Sequence, residues 1–230
     1  MSEAAAPAVS AGSRVSTARI AGVIAIAYAA SMIVQNALFA FPRAPNYSDP
    51  LDVVLTYHAQ NQSVLAVTSG LEAVNMLLLL LFVTALHGLV QRRGGIGADW
   101  SRLAVAAGAT LAALSALTIA THIAVILAAH GLAEPTPAFG LMWQLHAAAF
   151  ALSLPALGAT FIGAALATHA SGLTRPWQRL FGVAGGSLPI LAGLGNLAIA
   201  DGSPLLFVGV LGLAMWLAWL IVTGLRLIRG

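Results

Sequence analysis

The sequence predicts an all-α polytopic membrane protein: a bundle of six transmembrane helices with the N and C termini both cytoplasmic. Three observations carry that expectation. The first is composition. Of 230 residues, 60% are hydrophobic and only 7% charged, and the mean hydropathy is +0.92, whereas an ordinary soluble domain is about 25% charged. A soluble fold of this size has too little interior to hide so much apolar surface, so lipid is the expected solvent. The second is segmentation. Crossing a hydrocarbon core of ~30 Å takes about 20 apolar residues of helix, and six stretches qualify: residues 20–41, 64–90, 103–129, 139–168, 180–200 and 205–228. The third is the placement of arginine, the only basic residue besides histidine. Arg14 and Arg19 precede span 1, Arg92, Arg93 and Arg102 lie between spans 2 and 3, Arg175 and Arg179 between spans 4 and 5, and Arg226 and Arg229 close the chain. Only Arg43 falls on the other side, which makes the arginine-rich side cytoplasmic by the positive-inside rule.

Each element has its own reasons. Residues 1–18, MSEAAAPAVSAGSRVSTA, are small and polar and are expected to form a disordered cytoplasmic tail, leaving 19–230 as the six-helix domain. Span 1 contains Ala27-Tyr28-Ala29, a small-residue pattern like a signal-peptidase site. Its apolar run continues through SMIVQNALFAF, so the span is expected to be retained. The first outer loop reads PRAPNYSDPLDVVLTYHAQNQS. Ser48 or Asp49 can cap a short helix there, and Pro50 suits its first turn. Leu51, Val54, Leu55 and His58 then share one side. Such a helix is either a lid lying along the membrane surface, with His58 reaching inward, or a connector running straight into span 2. Span 2 holds Glu72 and Asn75 inside TSGLEAVNMLLLLLFVTALHG. Pro155 in span 4 and Pro189 in span 5 are expected to kink their helices, with Ser153 and Ser187 placed to satisfy freed backbone groups. Gly182 and Gly186 in span 5 form a GxxxG pair, which permits close packing and leaves a homodimer open. Trp143, Trp177 and Trp100 fit an aromatic belt. Trp216 and Trp219 lie deeper, as packing or lipid-facing residues. No inverted repeat relates spans 1–3 to spans 4–6.

The buried polar residues fall in one layer. Span 2 starts at the outer surface, so Glu72 lies about 12 Å below its start at 1.5 Å per residue, on one face with Thr68 and Asn75. Ser115, Thr118 and His122 form a polar face of span 3. His122 and His146 each stand twelve residues from Glu134 in the connecting loop, which sets both imidazoles at the same depth. Span 1 adds Tyr28, Ser31 and Gln35, with Asn36 beside them, and span 5 adds Asn196. Gln144 and His146 compete for the interior, because residues two apart on a helix point in nearly opposite directions. An ionisable group within the membrane costs at least ~2.5–3.5 kcal/mol and normally faces the bundle interior or a watered cavity. A polar pocket opening outward is therefore expected.

Three uses of such a layer stay open. Glu72 with His122 and His146 makes a set that exchanges protons, with Gln35, Asn75 and Asn196 as neutral ligands. That is the chemistry of a binding or transport protein for a small molecule or ion, and it needs no cofactor. The alternative is a redox protein or metalloenzyme, with haem b between His122 and His146, or a divalent metal on His122, His146 and Glu72. The third is a structural or accessory subunit in which these groups only join helices. The absence of cysteine removes thiolate sites and disulfides. No Walker A loop, Rossmann fingerprint or GxSxG elbow occurs, so ATP-driven work by this chain alone is not expected, and no basic stripe suggests nucleic acid.

The six-span layout, with a Pro-rich polar outer loop followed by a Glu-bearing span, resembles small integral membrane proteins of actinobacteria of the domain-of-unknown-function type. The abundance of Ala and Gly and the use of ten Arg with no Lys, the bias of a GC-rich genome, agree. That resemblance implies a bacterial inner-membrane location and carries neither an activity nor site residues.

Overall fold

The computed structural model describes residues 11–40 and 43–230. Among them there are only helices: α1 (Ala11–Ala40), α2 (Leu51–Gln60), α3 (Gln62–Gln91), α4 (Ile96–Gly131), α5 (Pro137–Ala170), α6 (Pro176–Gly193), α7 (Asn196–Ala200) and α8 (Leu206–Arg229). Five of these, α1, α3, α4, α5 and α8, are long and apolar enough to cross a membrane. The chain is thus all-α and has the make-up of a multi-pass membrane protein. Two expectations change at the level of elements. Residues 1–10 of the expected tail lie outside the described residues, but from Ala11 the chain is already helical. The span expected over 180–200 is divided: α6 ends at Gly193 and α7 starts at Asn196. Glycines on both sides of Leu194 weaken the helix there.

The six larger helices form a closed ring in the order α1–α3–α4–α5–α6–α8, with α8 returning to α1. Neighbours run antiparallel. Thr17 at the start of α1 accepts a hydrogen bond from Arg92 just past α3 (3.0 Å), and Gly22 of α1 meets Gly224 near the end of α8. Both ends of the described chain therefore share one face. Arginines tie that face together: Arg93 donates to the Ser171 carbonyl (2.6 Å) and Arg226 to that of Leu173 (2.7 Å). Gln178, almost wholly buried, donates to Thr223 (3.3 Å) and joins α6 to α8. On the opposite face lie α2, α7 and residues 43–50.

Small residues let the helices approach. A Cβ on Gly158 would stand 2.3 Å from the Gly186 carbonyl oxygen, and one on Gly182 would strike Ala165. The Gly182–Gly186 pair is thus used inside the chain, between α6 and α5, and is not a free dimer face. The two prolines are received the same way. Pro155 packs against Gly193, and Pro189 against Gly212. The serines expected to serve the freed carbonyls do something else. Ser153 donates to Phe150 (2.6 Å) and Ser187 to Val183 (2.8 Å), whereas prolines at 155 and 189 free the carbonyls of Ala151 and Gly185. α5 begins as its sequence suggests, with Thr136 capping Phe139 (3.2 Å) and Pro137 in the first turn.

Gly158→Ala is expected to destabilise the bundle by about 1–3 kcal/mol, because the new methyl meets backbone that cannot move aside. Gly88→Ala, inside α3 and meeting nothing within 4 Å, should instead stabilise by about 0.5–1 kcal/mol through helix propensity. Denaturant unfolding in detergent measures both, and equal midpoints would show that the α5–α6 contact is looser than described.

Candidate functional site

α3 brings Glu72 and Asn75 to the inside of the ring through their three-residue spacing, which keeps them on one helix face. Gln35 of α1 sits between them. Its Nε2 donates to Glu72 Oε1 at 3.4 Å, and its Oε1 accepts from Asn75 Nδ2 at 2.5 Å. From α4, His122 places Nδ1 3.7 Å from Glu72 Oε2. Neither Glu72 Oε2, His122 Nδ1 nor Asn75 Oδ1 has a hydrogen-bond partner, although each is buried. The polar layer expected from the sequence is thus brought together for Gln35, Glu72, Asn75 and His122.

His146 of α5 joins from the other side. Its ring lies 4.9 Å from that of His122, with 30° between the planes. Its Nδ1–H donates to the Thr118 carbonyl at 3.1 Å, which assigns the proton to that nitrogen. His146 wins the competition with Gln144, which is exposed. Trp143, one turn earlier, stacks on His146 (5.4 Å, 21°). The tryptophan expected in an interfacial belt is therefore buried beside the site. Its i, i+3 spacing to His146 was the signal that would have found it.

α2 covers this cluster. Val54 and Leu55 pack on Val125, Ala129, Phe139 and Trp143 at the ends of α4 and α5, which buries His58 almost completely. His58 meets the His122 ring edge-on at 5.5 Å and Trp143 at 5.6 Å. The short helix is thus both connector and cover, with Asn61 alone separating it from α3. Its start differs from expectation: Pro50 is the N-cap, and Asp49 accepts from the Asn46 N–H at 2.8 Å instead of capping. Tyr47, which no sequence pattern singled out, completes the cover against Trp143 (5.2 Å) and His146 (5.9 Å). Its hydroxyl is pushed above the usual phenol range by burial and then by the Glu72 charge.

On the other side of Glu72 a cavity of about 170 Å³ opens into the centre of the ring. Gln35, Glu72, Asn75, Ser115 and Thr118 lie on its wall, and most of the rest is Leu and Met. Asn196 is not part of this site. It is exposed at the start of α7 and lines no part of the cavity, because the helix break at Gly195 carries it off the α6 axis. Asn36 also turns outward, bonding the Met32 carbonyl of its own helix (2.8 Å). Thr68 is buried but satisfied within α3 by Leu65 (3.0 Å).

The geometry also bears on the cofactor alternatives. Two imidazoles on opposite sides of a haem iron, with metal–nitrogen bonds of ~2 Å, stand with ring centres roughly 6 Å apart, further than His122 and His146. Among the described residues, no group of three or more His, Asp or Glu side chains is arranged to hold a metal ion. What the cluster can do is hold and pass a proton: a carboxylate within ion-pair reach of an imidazole, with two more imidazoles and an amide against it.

Fold and site together define a multi-pass helical membrane protein with a capped Glu–His cluster above a central cavity. No known protein family, curated protein or solved structure matches the chain.

Burial lowers the His58 pKa to about 4, opposed by the Nδ1–H bond to the Val54 carbonyl (2.7 Å) and reinforced by His122. Undocked, His58 titrates near its ordinary value of ~6.5. Between those values only the undocked form binds the proton, so docking of α2 weakens as pH falls from about 6.5 to about 4, by up to about 3 kcal/mol, and is constant on either side. Amide exchange in α2, corrected for intrinsic rates, measures this. His58→Phe is expected to remove the pH dependence, and its persistence would assign it elsewhere.

Proposed function

We propose that this chain is a binding or transport protein of the bacterial cytoplasmic membrane, with a central pocket, polar at its Glu72 end, whose ligand is exchanged in step with a proton at Glu72. α6, roughly 27 Å long at 1.5 Å per residue, then completes a sixth crossing with α7 at its end. The arginine-tied face, which carries both ends of the described chain, lies in the cytoplasm, and α2 covers the outer side. The lipid bilayer is the constant partner, and a small molecule or ion the ligand.

The observation that carries this reading is the Glu72–His122 approach of 3.7 Å at the wall of the cavity. A Glu–His pair can exist as acid and neutral imidazole, or as carboxylate and imidazolium, and the two groups share one titration. Both forms carry the same net charge, so the proton moves within the pair without adding charge to the membrane interior. Gln35 reads the result, because a carboxylate oxygen only accepts hydrogen bonds while a carboxylic acid also donates. Groups that merely hold helices together have no need to titrate.

Infrared spectroscopy of the protein in lipid tests this. A protonated-carboxyl band that shifts in D2O, titrates with pH and disappears in Glu72→Gln is expected. His122→Phe, which removes the imidazole facing Glu72, should shift the frequency of that band. A Glu72 band that neither exchanges nor titrates in folded protein would sink proton coupling and leave the structural role. In that case Glu72→Gln would change only unfolding.

A further inference from the structure

We propose that the central cavity takes a small protonated primary amine, its ammonium at the Gln35–Glu72–Asn75 end and its body, about the size of one six-membered ring, in the apolar remainder, and that protonation of Glu72 expels it. This deepens the reading above and rests on Glu72 being the titrating group.

The chemical class follows from what the polar end lacks. Asn75 Oδ1 is a buried acceptor without a donor, and Glu72 Oε2 is a buried acceptor that faces only the His122 ring, at 3.7 Å and without a hydrogen bond; Asn75 is 4% exposed. A buried polar group left unpaired costs more than the mean hydrogen bond returns, so this end calls for a ligand rich in N–H. An ammonium has three donors and the charge that a carboxylate complements. A bare metal cation fits poorly, since it needs several oxygen ligands. Beyond the polar end the wall is supplied by Met32, Met76, Leu79, Leu111, Leu154 and Leu157. The size follows from the volume. A cavity of about 170 Å³ compares with the ~150 Å³ apolar cavity that accommodates benzene.

The coupling follows from the direction of the amide relay. With Glu72 ionised, the carboxylate can only accept, so Gln35 must turn its NH2 toward Glu72 and its oxygen toward Asn75. Asn75 then spends its NH2 on Gln35 and leaves its oxygen free, which is the arrangement observed. With Glu72 protonated and donating to the oxygen of Gln35, both amides reverse, and Asn75 presents NH2 instead. One proton on Glu72 thus removes the negative charge and also replaces the free acceptor by a donor. Both changes act against an ammonium. The balance is simple: carboxylate with bound RNH3+ takes up one H+ and becomes carboxylic acid, and RNH3+ leaves. The titratable groups around Glu72 are His122 from α4, with His146 of α5 and His58 of α2 behind it, Tyr47 from the loop and Tyr28 of α1 on the cavity wall. α8 contributes only Gly209, Val210 and Leu213 there.

The test compares benzylamine with benzyl alcohol, alike in shape and differing in the charged donor, by calorimetry on the intact protein in nanodiscs. At about pH 8, benzylamine is expected to bind saturably and about tenfold or more tighter than the alcohol. Its affinity should then fall by about tenfold per pH unit below the Glu72 midpoint found by infrared. Leu111→Trp, which fills the cavity, should abolish binding of both. Glu72→Gln should erase the preference for the amine. Equal binding of amine and alcohol by the parent protein would overturn the proposal without any variant. So would amine binding unaffected by Leu111→Trp, or no binding at all. If Glu72 titrates by infrared and benzylamine still fails to bind, the ligand class is wrong while proton coupling stands. If Glu72 does not titrate, both fall.

Discussion

Lipid gives helices no hydrophobic reason to associate, so this bundle depends on backbones approaching closely enough for dispersion to hold them. The glycines are spent on that. Gly22 meets Gly224 where the ring closes, Gly158 meets Gly186 between α5 and α6, and Gly163 meets Ala104 between α4 and α5. α5 is gripped from both sides, and 67% of its most apolar window is buried, against 17% for α1. α1 and α8 lean on the rest by contrast, and larger side chains such as Met32 and Leu213 stand between them and the centre. The cavity lies where small-residue packing gives way to long side chains.

The polar layer beside it works against the fold. An ionised carboxyl in the membrane interior costs at least ~2.5–3.5 kcal/mol, and an interhelical hydrogen bond in lipid returns ~0.6 kcal/mol on average. The single 3.4 Å bond from Gln35 does not offset that, and the 3.7 Å approach of His122 is an ion-pair distance without hydrogen-bond geometry. A Leu at position 72 would stabilise the helix better. On these magnitudes Glu72 is held in place by the surrounding packing.

Most of the architecture was legible because lipid solvent writes itself into composition. Five long apolar helices follow from length and hydropathy, and the depth match of His122 and His146 follows from counting residues either side of Glu134. Gln35, Glu72 and Asn75 were found by helical spacing and the rarity of polar groups in such runs. Asn196 was misplaced because a helix break at Gly195 is a matter of local backbone. Pro189 and five glycines in that span warned of irregularity without saying where it would fall. Tyr47 was invisible because loops carry no periodicity. Trp143 was misread because an interfacial tryptophan and a buried one have the same sequence context near a helix end, and only the partner His146 separates them.

The cover explains why the cluster is more than a set of neighbours. α2 buries His58, and α2 with Tyr47 covers the His122–His146 side of the cluster. A fall in effective dielectric from 80 to about 20 strengthens the interaction between two charges about fourfold. The same burial keeps His58 neutral down to about pH 4. Acid therefore favours release of α2, the helix that covers the pair. Since α2 joins α3 through Asn61 alone, whose N–H and side-chain NH2 both bond the Tyr57 carbonyl (3.1 and 2.8 Å), the joint between cover and Glu72-bearing helix is one residue long.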